Sequence, residues 1–130
     1  MRLYGLDEAR AMLPRIIPVL ERLRAALTEY RALQASIQAL ARGASGAGHA
    51  LASPWEEGGE GRVESLGQEL REAVDQLHGW GIELKDPARG PIDFHWEREG
   101  EVVYLCYLLG EPEIAFWHSL SAGFAGRQPL

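Results

Sequence analysis

The most constraining feature of the sequence is a single apolar stripe that runs through its first third. Leu6, Ala9, Leu13, Ile16, Leu20, Leu23, Leu27 and Tyr30 follow one another in steps of three and four, and Leu33, Ile37 and Leu40 continue the series. Such spacing puts all of them on one face of a helix, and from Leu13 to Tyr30 it has heptad character. A chain that begins this way must find a partner surface for a long helix. Gly5 or Asp7 can open that helix, and Asp7 and Glu8 suit the positive end of its dipole. Pro14 and Pro18 interrupt the pattern, because proline lacks the amide and clashes with the carbonyl four residues back. The sequence therefore predicts a short helix near 6–13, a kink or break, and a long helix to about 41 with Pro14 in its first turn.

A second stripe of Val63, Leu66, Leu70, Val74, Leu77 and Trp80 predicts a helix over about 62–80. Gly81 is placed to end it in the left-handed conformation, and His78 lies off the stripe, in solvent. Residues 42–61 are rich in Gly, Ala and Ser and lack periodicity, so they read as a flexible connection carrying His49 and Trp55. The two helices are expected to pair as an antiparallel hairpin. Their lengths differ: a helix over 14–41 spans about 42 Å and one over 62–79 about 27 Å. The overhang needs cover from the connection, from later structure, or from a second copy of the chain. The last would make a homodimer through the helices.

After Gly81 the pattern changes to that of strands. Ile82–Leu84 is a short extended run, and 85–90 is a turn. Runs at 91–98 and 101–109 flank Glu99-Gly100 at hairpin spacing. A third run lies at 113–118, and the tail 119–130 reads as loop. The expected fold is α+β: one domain over 1–130, with a helical hairpin at 6–80 and a small antiparallel sheet and C-terminal loop at 81–130.

A hairpin turning on Glu99-Gly100 pairs residues whose numbers sum to 199. One face then carries Asp93, His95, Glu97, Val102, Tyr104, Cys106 and Leu108. The other carries Ile92, Phe94, Trp96, Val103, Leu105, Tyr107 and Leu109, and belongs against the helices. The first face brings a carboxylate, an imidazole, a phenol and a thiol together. Asp93, Cys106, Glu111 and His118 are candidate ligands for one divalent transition metal, since carboxylate, thiolate and imidazole all serve and three ligands leave a position open. No established zinc spacing is present. Cys106 as a nucleophile would need His95 or His118 as its base, but its strand is strongly apolar, where a cysteine packs as a small hydrophobe. Arg127, beside Gly123 and Gly126, is a candidate anion contact, with a carboxylate such as Glu111 as its alternative partner.

Composition excludes several classes. Of 130 residues, 46% are hydrophobic and 25% charged, as in globular proteins rather than disordered ones. A net charge of −6 argues against a general nucleic-acid partner. No apolar stretch approaches the ~20 residues of a membrane span, and the N-terminal residues lack the apolar core of a signal peptide. Cys106 is the one cysteine, which excludes an internal disulfide. The expected setting is the cytoplasm.

A string of short motifs carries a resemblance. Leu6-Asp7-Glu8-Ala9-Arg10-Ala11-Met12-Leu13-Pro14 opens it. Gly81-Ile82-Glu83-Leu84-Lys85-Asp86-Pro87, Ile92-Asp93-Phe94, Leu105-Cys106-Tyr107, Leu109-Gly110-Glu111-Pro112, Phe116-Trp117-His118 and Gly123-Phe124-Ala125-Gly126-Arg127 follow. Together they resemble DUF2203, a family of small bacterial proteins of unknown function. The resemblance covers most of the chain outside 42–61 and implies a long helical hairpin followed by a short sheet. It gives weight to Asp93, Cys106, Gly110, Glu111, Trp117, His118, Gly123 and Arg127, and less to His95 and Tyr104. Cys106-Tyr107 stands where relatives have Cys-Trp. Two functional readings result. One is a non-catalytic binding or scaffold module that dimerises through its helices. The other is a metal-binding, hydrolase-like site on the sheet.

Overall fold

The structure is a computed structural model that describes residues 1–42 and 59–130. The connection expected at 42–61, with His49 and Trp55, falls almost wholly outside the described residues. Two helices precede a five-stranded antiparallel sheet, which makes the fold α+β.

Helix α1 runs unbroken from Leu6 to Arg42, 37 residues, with Pro14 and Pro18 inside it. The expected break is absent, and burial explains why. Pro14 and Pro18 are both exposed, whereas Leu13, Ile16, Val19 and Leu20 are buried. The two missing amide bonds therefore lie on the outer face, where water can solvate the freed carbonyls, and the packed inner stripe holds the helix together. At its start, Glu8 reaches back so that the Gly5 amide donates to Glu8 Oε1 at 3.2 Å, half of a capping box.

Helix α2 spans Gly59–Gly79 and ends as the sequence predicts, with Gly81 at φ +76°. The chain's first residues fasten that end. The Trp80 carbonyl accepts from the Tyr4 hydroxyl, and Tyr4 lies edge-on to Phe94 at 5.1 Å between ring centres. The Tyr4 amide donates to the His95 carbonyl at 2.8 Å. Near the other end of α2, Arg62 pairs with Glu29 of α1.

Strands β1 (Ile82–Leu84), β2 (Pro91–Arg98), β3 (Glu101–Leu108), β4 (Phe116–His118) and β5 (Gln128–Pro129) lie side by side in chain order. β2 and β3 pair in the expected register, with Asp93 opposite Cys106 and His95 opposite Tyr104. Glu99 at φ +53° and Gly100 at φ +84° make the two-residue turn whose twist matches the strands it joins. Ile92, Phe94, Leu105 and Tyr107 share one buried cluster with Ala9, Leu13, Ile16, Leu20, Ala73 and Leu77 of the helices, and Trp80, Trp96 and Trp117 pack around it. The third strand is shorter than expected. The tail is not a plain loop: a helical turn at Phe124–Gly126 leads into β5, which pairs with β4. The pairing amides of the tail were invisible to a reading based on its glycines alone.

Gly81 is required for two reasons at once. Its φ is left-handed, and a Cβ there would sit 2.8 Å from the Arg2 Cβ. Gly81→Ala is expected to cost about 1–3 kcal/mol in urea unfolding, from left-handed strain plus the clash. Gly90→Ala, also left-handed but facing open space, should cost about 1–2 kcal/mol, from strain alone.

Candidate metal centre

The face of the sheet turned away from the helices is polar at its middle, yet it is buried. Asp93 is 2% exposed, Cys106 1% and His118 1%. Asp93 comes from β2, and Cys106 stands directly opposite it on β3. β4 sets His118 against Tyr104 and Phe116 against Cys106, so His118 lies diagonally from Cys106 on the same face. One ligand-capable atom from each of Asp93, Cys106 and His118 lies within 4.8 Å of the others.

His118 is held at both ring nitrogens. Nδ1 lies 2.8 Å from the Ser119 carbonyl, and Nε2 lies 3.0 Å from Asp93 Oδ1. A carbonyl only accepts, so Nδ1 carries a hydrogen and donates. A neutral His118 therefore turns the lone pair of Nε2 toward Asp93. The contact between Nε2 and Oδ1 then needs one proton, carried either by an imidazolium or by the carboxyl. Burial raises the Asp93 carboxyl above its usual range, and His118 opposes that shift by charge and by hydrogen bonding. Burial also pushes the Cys106 thiol up from 9.0 to about 12, with the Asp93 charge adding to it. At neutral pH Cys106 is a protonated thiol, which argues against the nucleophile considered from sequence.

Glu111 does not join this group. Its Oε1 accepts from the Leu108 amide at 2.6 Å and from Arg127 Nη2 at 2.8 Å, and its Oε2 accepts from Arg127 at 2.6 Å. The carboxylate is spent on fixing the chain after β3. The same pair answers the expectation for Arg127. Its charge is matched by Glu111, and its guanidinium lies 4.1 Å from the Phe116 ring centre and 4.6 Å from that of Phe124. Arg89 lies 4.6 Å from the Phe124 ring centre as well. Arg127 thus clamps the tail over the sheet rather than offering a free cation.

A cavity of about 170 Å³ adjoins the triad. Asp93, Cys106, His118 and Tyr104 line it from the sheet, and Pro91, Leu120 and Phe124 supply apolar wall. Lys85 lines it too and was not singled out from sequence. Lys85 Nζ donates to Glu83 at 2.6 Å and to the Tyr104 hydroxyl at 3.2 Å, and Tyr104 donates to Glu83 at 2.8 Å. The Tyr104 ring stands between His95 and His118, at 4.9 and 5.3 Å between centres. The available signal was Glu83 on a short strand, opposite Asp93, with Lys85 two residues on, just past the strand's end.

The uncharacterized conserved protein family DUF2203 matches residues 2–130, and the chain belongs to that family. No curated protein and no solved structure matches it. No helix among the described residues is long and apolar enough to cross a membrane.

The thiol shift has a testable sign. A group whose folded pKa is raised stabilises the fold fully below its unfolded value, and that contribution is lost as pH rises toward the folded one. Melting temperature should therefore fall between about pH 9 and 12, more steeply for the wild type than for Cys106→Ala. The tyrosines titrate in both proteins, so the difference between the two curves isolates Cys106. Folded wild type should also resist iodoacetamide at pH 8 and react once unfolded in urea.

Proposed function

We propose that this protein binds a divalent transition metal, zinc above all, through Asp93, Cys106 and His118. The observation that carries the reading is the convergence of the three ligand types within 4.8 Å beside a cavity. Metal–ligand bonds of about 2.0–2.3 Å imply tetrahedral ligand separations of roughly 3.3–3.8 Å, so a modest contraction closes the triad on an ion. The hydrogen bond from Nδ1 to the Ser119 carbonyl supports it, because it fixes the tautomer that presents Nε2, as carbonyl partners of metal-bound histidines do. Metal binding would replace the Asp93–His118 proton and deprotonate Cys106. Three protein ligands leave a fourth position facing the cavity, the arrangement of zinc sites that activate water, which gives a hydrolase-like reading of the site. Glu111 stays outside the coordination sphere in this reading.

The test is metal content per chain by elemental analysis, on protein purified without a histidine tag and then incubated with Zn²⁺, Mn²⁺ or Fe²⁺. Wild type and Glu111→Gln should carry close to one metal per chain. Asp93→Asn, Cys106→Ala and His118→Gln, shown folded by circular dichroism, should carry almost none. A folded wild type that stays empty with all three metals would sink the reading.

A second reading concerns assembly. Along α1 full burial ends at Ala26, while the stripe residues beyond Leu23, namely Leu27, Tyr30, Leu33, Ile37 and Leu40, are only partly covered. An apolar groove of about 350 Å³ lies beside Leu23, Leu27, Leu70, Val74 and Pro87, with Arg71 and Asp75 at its rim. We infer that the helices form the antiparallel hairpin expected from sequence and that a second copy covers this surface. Across a two-fold axis Arg71 of each copy would meet Asp75 of the other, which makes the rim self-complementary. Sedimentation equilibrium should return a dimer for the wild type and a folded monomer for Leu33→Glu/Ile37→Glu. A wild type that sediments as a monomer would overturn this reading.

A further inference from the structure

We infer that the cavity beside the triad holds a small organic carboxylate, with its anionic group on the metal's open position and its apolar part against Phe124, Leu120 and Pro91. This inference rests on the metal reading and adds the ligand class. Three observations lead to it: the charge at the site, the character of the walls, and the size of the space.

Charge comes first. A divalent ion held by the Asp93 carboxylate, the Cys106 thiolate and a neutral His118 is formally uncharged as a unit. Such a centre accepts one further negative charge far more readily than two. Lys85 lines the same cavity; its charge is matched by Glu83, and of its three N–H donors two go to Glu83 and Tyr104, which leaves one for an anionic group. Lys85 is already tethered by Glu83 at 2.6 Å and lies 4.5 Å from the Tyr104 ring centre, so it is held in place without prior ordering by the ligand. Glu83 in turn accepts from Tyr104. A monoanion thus suits the site better than a phosphate dianion, which would bring a second negative charge to a centre that is already neutral.

The walls narrow the class further. Pro91, Leu120 and Phe124 offer a hydrophobic surface that inorganic anions cannot use. Phe124 is fixed in place by the Arg89 and Arg127 guanidinia, each 4.6 Å from its ring centre. An apolar tail packed there gains from area removed from water, about 25 cal/mol per Å². Size agrees with this class: the cavity of about 170 Å³ has room for a carboxylate with a short aliphatic chain.

The experiment uses the full-length protein reconstituted with Co²⁺, whose visible absorption reports its coordination. Cobalt content is read first. The cobalt protein is then titrated with acetate, butyrate and inorganic phosphate. Butyrate should shift the spectrum saturably and bind tighter than acetate, with phosphate the weakest. Lys85→Met should keep the cobalt content and its starting spectrum but weaken butyrate at least tenfold. Phe124→Ala should bring butyrate down to the affinity of acetate. Cobalt bound at one per chain with no spectral response to butyrate would overturn the carboxylate inference and leave the metal reading standing. So would phosphate binding tighter than butyrate, or Lys85→Met binding butyrate as the wild type does. Failure of the wild type to take up cobalt would overturn both.

Discussion

Everything at the polar face depends on the two-residue turn at Glu99-Gly100. Both residues are left-handed, and the turn they make admits one register between β2 and β3. That register puts Asp93 opposite Cys106 and turns both to the side away from the helices. A slip of one residue would exchange the faces of a strand, sending Asp93 toward Ile16 and Leu20 and putting Phe94 in its place. The apolar face enforces the same answer from the other side, since Ile92, Phe94, Leu105 and Tyr107 fill the core only in this register. Turn chemistry and core packing thus agree, and the triad is a consequence of their agreement.

Keeping a carboxyl, an imidazole and a thiol under cover is costly unless their polar atoms are matched. His118 meets that demand at both nitrogens, and its contact with Asp93 keeps the pair formally neutral whichever partner holds the proton. The cover itself is the segment after β4. It is tied down by the Glu111–Arg127 ion pair, the two guanidinia around Phe124, and the pairing of β5 with β4. Glu111 and Arg127 are therefore coupled to the triad through the segment they anchor, without touching it. The two groups thus have different roles, which is why Glu111 reads as a ligand in sequence and as a clamp in space.

The strand register was legible because side chains alternate strictly and the turn has only one hairpin-compatible length. The helix end at Gly81 was legible because glycine there meets a steric need. Other features depend on burial, which a single sequence encodes weakly. Pro14 and Pro18 look like breaks until their exposure places the lost hydrogen bonds on the solvent side. The tail looks like loop because its ordering comes from Phe124, Arg127 and backbone pairing, none of which is periodic. Glu83 lies in a strand of three residues and Lys85 just past its end, so no alternation stands out. What escaped the sequence was therefore the set of contacts made between elements distant in the chain.

The same geometry also brings the two ends of the sequence onto one sheet. The helices bury one face of the sheet, and the tail buries the other, so the middle of β2 and β3 is closed on both sides. A polar group in such a place must be either a fixed structural bond or a site with its own ligand. Asp93 and His118 alone would satisfy the first description. Cys106 fits that description as well, since its hydrogen bonding to Asp93 favours the charged carboxylate, but its thiol is also a third ligand type that an aliphatic side chain would not supply. The cavity beside it adds a second argument, since a strand pair serving only stability gains from filling a void rather than keeping one. Thiol, imidazole and carboxyl on the edge of a retained cavity make most physical sense when the proton between them can be exchanged for an ion that all three can hold.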